Sequence, residues 1–487
     1  MLIAIILLVP FVLNTILMFV RKDRTLGVVN TFGYGLLLGT CALFVKRFLA
    51  GAAGPLRLWG WLYIDSLSVF FMLTTAVVAF SASVYSIGYM RAEVEENKIS
   101  ISKARGYFYL FNIFCFTMLL VPLLNNLALV WIAIEMTTLV SAFLVGFHNV
   151  KESIEAAWKY IIICSVGITF ALLGIIFFYY TSSTHAGIKS LEWAKMLSGA
   201  SLFEPKIVKI ALLFIFVGYG TKAGFAPMHN WLPDAHSQAL SPISGLLSGV
   251  LLKISLYAIL RFVMLANLSV GYAFSAKLFI LFGVCSLAIA AIFIIVQKDL
   301  KRLLAYSSVE NIGLIALGFG AGPFGGGFAG LLHIFNHAVT KAFMFFCAGG
   351  VVRAYRTNNM NKIQGVLRAM PFTGVAMFLG VFALVGMPPF AIFISKISIL
   401  IAVFQGRYYF IWALMFIFIA AAFSGLLHHI SKVVLGNKPQ TMPRQKEPAS
   451  AKIALFFLGF FIIALGIKVP HSFFNLISDC QKLILGK

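Results

Sequence analysis

Apolar runs of about twenty residues recur along the whole of this 487-residue chain. That is the length an α-helix needs to cross a hydrocarbon layer. The first, Met1 to Val20, is free of charge and is followed at once by Arg21, Lys22 and Arg24. It has no basic n-region and no small-residue cleavage site, which predicts a retained first helix. Further runs lie at roughly 26–46, 62–88, 107–124, 126–147, 156–180, 207–240, 242–266, 276–297, 302–320, 325–354, 370–404, 409–433 and 451–470. Together they predict an all-α polytopic membrane protein of about fourteen transmembrane helices. A membrane β-barrel is excluded because it is built from short alternating segments. A soluble domain is excluded because only 11% of the residues are charged, against about 25% in soluble proteins.

Two runs, 207–240 and 370–404, are too long for one straight crossing. Each holds glycine and proline: Gly224 and Pro227 in Gly-Tyr-Gly-Thr-Lys-Ala-Gly-Phe-Ala-Pro, and Pro388 and Pro389 in Gly-Met-Pro-Pro-Phe. These predict broken helices. Paired broken helices also predict an internal repeat, as in transporters. Glu135 and Glu310, Lys222 and Lys396, and Lys253 and His428 recur at one nearly constant offset of about 175 residues. The prolines do not match: Pro227 follows Lys222, whereas Pro388 and Pro389 precede Lys396. The resulting division is three N-terminal helices (1–106), two five-helix units (107–266 and 275–435) of opposite orientation, and a C-terminal loop and last helix (436–487).

The 38 Lys and Arg against 15 Asp and Glu, a net charge of +23, would point to nucleic acid in a soluble protein. Here the basic residues sit in short loops, where positive charge sets topology, so the lipid bilayer is the expected partner and nucleic acid is not. The loops after odd-numbered spans are the richer, with Arg91, Lys98, Lys298, Arg302, Arg353, Arg356 and Arg444 among them. They are predicted to be cytoplasmic, with both termini on the external side of the cell (inner) membrane. None of the six cysteines forms a C-x-x-C pair, so no iron–sulfur cluster, zinc site or other cofactor is expected on this chain.

A charge at the centre of a bilayer costs about 2.5–3.5 kcal/mol on insertion scales, so the few that remain point to function. Glu135 lies deep in Leu-Val-Trp-Ile-Ala-Ile-Glu-Met-Thr-Thr-Leu-Val. Lys222 and Lys253 occupy separate spans, and Lys396 follows the second break. His333, His337 and Lys341 are spaced i, i+4, i+8 and share one helix face. Simpler roles exist for each. Glu135 could be only a salt-bridge partner, Lys222 a cap on the broken helix, Lys341 a snorkelling residue, and the two histidines satisfied core residues or zinc ligands. His428 and His429 read as structural. Glu310, Lys159, Asp299 and Lys301 fall near span ends, where charge is cheap. The functional reading is a proton path. A desolvated lysine releases and rebinds protons near neutrality, and a carboxylate about 4 Å away attracts the ammonium by roughly 4 kcal/mol at an effective dielectric near 20. Histidines bridge such sites.

At these residues a resemblance becomes specific. The stretches 155–164 (Glu-Ala-Ala-Trp-Lys-Tyr-Ile-Ile-Ile-Cys), 220–237 (Gly-Thr-Lys-Ala-Gly…Pro-Met-His-Asn-Trp-Leu-Pro-Asp-Ala-His-Ser), 299–308, 333–342 (His-Ile-Phe-Asn-His-Ala-Val-Thr-Lys-Ala) and 386–396 resemble the antiporter-like subunits of respiratory complex I. Residues 134–147 look closest to the hydrogenase-4 component F branch, which belongs to membrane arms of group 4 nickel–iron hydrogenases and formate hydrogenlyases. The resemblance implies fourteen helices with two inverted five-helix repeats. It also implies a glutamate–lysine pair at Glu135 and Lys222, a central axis of Lys253, His333, His337 and Lys341, and an exit-side Lys396, where some relatives carry glutamate. Glu310 is not a position tied to the family. The function implied is proton, or Na⁺/H⁺, translocation within a redox-driven complex. Its iron–sulfur clusters and nickel–iron centre would sit on hydrogenase-like peripheral subunits, and other antiporter-like and membrane-anchor subunits would flank the chain. Alternatives are a subunit of a cation/proton antiporter, a quinone-reducing membrane enzyme, and the ion-driven partner of an inorganic-carbon uptake system.

Overall fold

The computed structural model describes residues 1–51, 55–437 and 445–486. Arg444, one of the odd-loop charges, lies outside them. Among the described residues, twelve helices are long and apolar enough to cross a membrane: Leu2–Phe19, Asp23–Ala50, Ser66–Glu95, Ile101–Leu123, Leu127–Val145, Lys151–His185, Ser241–Val270, Tyr272–Val296, Leu300–Gly320, Gly326–Tyr355, Tyr409–Leu435 and Ala449–Ile467. Two further crossings are interrupted. Pro205–Ala223 is followed by Trp231–Gln238, and Pro371–Val385 by Ala391–Gln405. The order gives fourteen spans, numbered here 1–14, with the interrupted ones as spans 7 and 12. Both of the long runs are thus broken where glycine and proline predict it.

Spans 8, 10 and 11 are the interior of the bundle. Their apolar windows are 94–100% buried. Spans 1, 2, 6, 9, 13 and 14 are the periphery, with no more than 39% of each window buried. The difference matches chemistry. The outer helices turn broad apolar faces outward, whereas span 10 carries Ser307, Ser308, Glu310 and Asn311, and span 11 carries His333, Asn336, His337 and Lys341, all of them buried.

The loops sort onto two faces. On one, the loops after spans 3, 5, 7, 9 and 11 converge on a polar cavity of about 510 Å³ lined by Glu93, Lys98, His148, Ser237, Lys301 and Arg353 among others. Leu300 N donates to Asn358 O across this face at 2.9 Å. On the other face, Asn125 N meets Trp61 O and Leu127 N meets Leu191 O, both at 2.9 Å. Two features there have no apolar signature long enough to register in the sequence. One is a short hairpin, Leu56–Leu58 paired with Leu62–Ile64. The other is an amphipathic helix, His471–Leu485, which buries Leu476, Ile477, Cys480 and Ile484.

One charged contact ties the N-terminal helices to the rest. Arg261 of span 8 grips Asp65 at the start of span 3 through two bonds, Nη1 to Oδ2 at 2.6 Å and Nη2 to Oδ1 at 2.8 Å. Asp65 also caps its own helix by accepting from Ser68 N at 3.0 Å. The guanidinium lies 4.4 Å from the Trp193 ring centroid and 4.9 Å from that of Tyr257. Removing one partner of a buried pair strands the other charge, at a cost of about 3–5 kcal/mol, whereas removing both can be neutral. Arg261→Met should therefore lower the melting temperature and the yield of the detergent-purified protein sharply. Asp65→Leu combined with Arg261→Met should recover most of that loss.

Candidate functional site

The break in span 7 is made by a left-handed residue that only glycine adopts without strain. Gly224 ends the first half at φ +84, and a Cβ there would lie 2.7 Å from Leu232 Cδ1. Lys222, two residues before the break, is fully buried. Its ammonium donates to Ile134 O at 2.5 Å and to the Thr138 hydroxyl of span 5. Glu135 does not meet it directly. Its Oε2 accepts from Thr138 Oγ1 at 3.1 Å and its Oε1 from Ser165 Oγ of span 6 at 2.7 Å. The glutamate–lysine pair implied by resemblance is therefore a triad, with Thr138 as a hydroxyl bridge that charge-based reading of the sequence passed over. Glu135 itself is only half-buried, on the outer face of spans 5 and 6.

Lys253 is buried beside a widened turn of span 8. The helix opens to a π-type turn at Leu247–Leu251, and the Lys253 ammonium donates to Ser248 O within it. Ser248 Oγ bonds Ser308 Oγ of span 10 at 2.7 Å. Span 10 then continues the polar row. Lys341 of span 11 donates to Leu304 O at 2.6 Å and to the Ser307 hydroxyl, so it does not snorkel. Asn311 donates to Ser307 O at 2.6 Å, and its Oδ1 lies 3.0 Å from His333 Nε2. The other His333 nitrogen meets Ser395 Oγ of span 12 at 2.9 Å. His337 stacks on His333, the ring centroids 6.1 Å apart, and neither of its nitrogens has a protein partner among the described residues. Among the described residues no group of three or more His, Cys, Asp or Glu is placed to hold a metal ion.

At the second break, Gly386 takes the left-handed conformation at φ +83, with Pro388 and Pro389 between it and the second half-helix. Lys396 returns from that half to donate to Val385 O at 3.2 Å and to Glu310 Oε1 at 3.1 Å. Glu310 corrects the reading of it as a cheap span-end charge, because it is 1% exposed inside span 10. The offset that matched Glu135 to Glu310 and Lys222 to Lys396 was the signal that could have found this pair. The third match, Lys253 with His428, joins unlike environments, since His428 is exposed. Ser307, Ser308 and Asn311 went unnoticed because single hydroxyls and amides are common in membrane helices.

Comparison with known proteins fits this arrangement. A family model described as NADH:quinone oxidoreductase/Mrp antiporter, TM, matches residues 125–424. A second, described as NADH-Ubiquinone oxidoreductase (complex I), chain 5 N-terminus, matches residues 53–98. The hydrogenase-4 component F homolog of Methylacidiphilum infernorum (isolate V4) is 32% identical over 486 residues, covering 99% of both chains. Hydrogenase-4 component B of Escherichia coli (strain K12) is 31% identical over 347 residues, 69% of this chain and 50% of its own. A chain of the membrane-bound sulfane sulfur reductase, an archaeal respiratory membrane complex, superposes with a TM-score of 0.87 at 25% identity, over 99% of this chain and 97% of that one.

The left-handed break gives a direct test. Gly224→Ala should destabilise by on the order of 1–2 kcal/mol from the backbone alone, with the clash against Leu232 added, and lower the melting temperature. Gly39→Ala, in a helix interior where a Cβ meets nothing within 4 Å, should leave it unchanged or raise it slightly, because alanine is the better helix former.

Proposed function

Because this chain belongs to the family of antiporter-like membrane subunits found in NADH:quinone oxidoreductases, Mrp antiporters and hydrogenase-4, we propose that it carries protons across the bilayer for a redox-driven complex. One observation carries the reading. In a chain that is 61% hydrophobic, Lys222, Lys253, Lys341, Lys396, His333 and His337 are buried with their hydroxyl and amide partners on spans 7, 8, 11 and 12, and Lys301, His229 and His236 are buried besides. Structural needs alone do not account for that many titratable groups inside a membrane bundle.

Glu135, Lys222, Lys253, His333, His337, Lys341 and Lys396 are the proton-carrying groups in this reading. Lysine and histidine both gain and lose protons, and the intervening hydroxyls accept and donate hydrogen bonds without a charge of their own. Glu135 is the group through which the rest of the complex acts. It is the half-buried carboxylate at the outer face, and moving its charge or its proton changes the field at Lys222 through Thr138. Residues 107–266 and 275–435 are read as two inverted copies of one unit, each with an interrupted helix. The face carrying the basic odd-numbered loops is read as cytoplasmic, which puts both termini outside the cell (inner) membrane.

The names of the relatives favour a hydrogenase-type assembly. Peripheral subunits would then hold the iron–sulfur clusters and a nickel–iron centre, with further antiporter-like and anchor subunits in the membrane. The Mrp description favours a second reading, a subunit of a cation/proton antiporter without redox partners. Affinity purification of the tagged chain from native membranes separates the two, according to whether iron–sulfur and nickel proteins accompany it.

Glu135→Gln should assemble normally and lower proton uptake per electron in vesicles about tenfold or more, since a positioned proton-transfer group contributes roughly 10²–10⁴-fold to a rate. Uptake at the wild-type ratio would leave Glu135 a structural role only. Lys222→Ala should be comparably damaging. Because the two act as one unit, the double variant should be no worse than the poorer single variant.

Thr138 separates a bridge from a mere neighbour. Thr138→Ser keeps the hydroxyl between Lys222 and Glu135 and should transport nearly as wild type. Thr138→Val, of almost the same shape, breaks the link and should lose most of the uptake in the same vesicle assay.

A further inference from the structure

Two buried ion pairs occur in the described bundle, and they differ in kind. Asp65 and Arg261 form a bidentate clamp at helix ends, and a guanidinium does not give up its proton in proteins. Glu310 and Lys396 meet through one contact at 3.1 Å, between spans 10 and 12, and the ammonium is a group that can be deprotonated. A buried pair of this sort is a poor way to gain stability, because apolar residues of similar size usually do as well. Its retention at 1% and 5% exposure therefore calls for a role beyond packing.

Its surroundings give that role. The Glu310 Oε2 accepts from Asn311 Nδ2 at 3.4 Å, and Asn311 Oδ1 faces His333 at 3.0 Å. Glu310 thus stands between the histidine part of the row and Lys396. The second bond of Lys396 goes to Val385 O at 3.2 Å, the last residue before the left-handed Gly386. The lysine is consequently held from both sides, by a carboxylate on an unbroken helix and by a carbonyl at the broken one. The aliphatic stem lies against Gly386, Cδ 3.3 Å from where a Cβ would be.

We propose that Glu310 is a positioning residue for ion translocation: its carboxylate holds the loaded ammonium of Lys396 at the second break and sets when that proton leaves. The proposal rests on the proton-carrying reading of the chain and adds a residue to it. With the pair closed, the proton is on Lys396 Nζ and the couple is neutral. When the proton departs from Nζ, the couple keeps one negative charge on Glu310. That charge draws the next proton along the row from the His333 side onto Nζ, which restores neutrality. One proton enters and one leaves per cycle, and Glu310 stays a carboxylate throughout. The arrangement contrasts with the first break, where Thr138 stands between Lys222 and Glu135.

The test uses the whole complex in sealed vesicles, driven through its own redox subunits, with protons taken up per electron as the readout and assembled complex matched between samples. Glu310→Gln should lower the ratio about tenfold or more, while Glu310→Asp, which keeps the carboxylate one methylene back, should retain most of it. A purely structural role would not distinguish Asp from Gln in this direction, since Gln is the closer match in shape. Glu310→Gln strands the Lys396 charge, so the double variant with Lys396→Gln covers the case in which the single variant does not assemble. Its loss should equal that of Lys396→Gln alone, because Glu310 acts only through Lys396. A wild-type ratio in Glu310→Gln, or a double loss equal to the product of the two single losses, overturns the assignment. If the wild-type complex turns over without taking up protons, the transport reading falls and this assignment falls with it. If the wild type pumps, Glu135→Gln does not, and Glu310→Gln does, only the role of Glu310 is lost.

Discussion

An ammonium group buried in a helical bundle must be met by oxygen, because leaving it unpartnered costs more than the fold can offset. Five lysines impose that demand here, Lys301 meeting Ala239 O at 2.9 Å among them, and much of the bundle's irregularity answers it. The widened turn at Leu247–Leu251 presents Ser248 O to Lys253. The break after Val385 presents that residue's carbonyl to Lys396. Elsewhere the second lone pair of a helical carbonyl serves, as with Ile134 O for Lys222 and Leu304 O for Lys341. The helix interruptions are thus part of the charge chemistry as well as points of bending. A bundle of straight, fully paired helices would have few acceptors to offer.

The same constraint explains where polarity is allowed. Serine, threonine and asparagine cluster on the interior spans because each must satisfy its own bonds while serving a neighbour's. Span 10 shows this most clearly. Within five residues it supplies Ser307 to Lys341, Ser308 to Ser248, Glu310 to Lys396 and Asn311 to His333. It touches four other polar positions and makes one row of what would otherwise be isolated charges. Its neighbours on the periphery, spans 9 and 13, carry fewer: span 9 buries Ser275 and Ser286, and Ser286 Oγ accepts from Ala226 N at the first break at 3.0 Å.

The architecture was legible in the sequence because each crossing writes its own record: a run of apolar residues of fixed length, bounded by charge. The breaks were legible for a related reason, since glycine and proline punctuate runs too long to be straight. The lysines and histidines stood out because charge inside an apolar run is costly. What the sequence concealed is who meets whom. The resemblance implies a pair of Lys222 and Glu135, but the hydroxyl of Thr138 between them is one of many threonines in apolar helices. Glu310 is misjudged from sequence because position along a run is not depth in the bundle. Span 10 is buried on nearly every side, so a residue there is inside whatever its distance from the helix end. The hairpin at Leu56–Ile64 was hidden by its length, and the helix His471–Leu485 because its apolar residues form only one face.

Glu310 also limits how far a family pattern transfers. The resemblance implies that glutamate can stand where this chain has Lys396, and by resemblance alone the two residue types look exchangeable. Here the position faces a carboxylate at 3.1 Å. Two carboxylates at that distance cannot both be ionised, so glutamate at 396 would either share a proton with Glu310 or push it aside. The residue type tolerated at the second break is therefore set by the partner on span 10. The pair at 310 and 396 behaves as one unit, and a substitution at either position has to be judged together with the residue at the other.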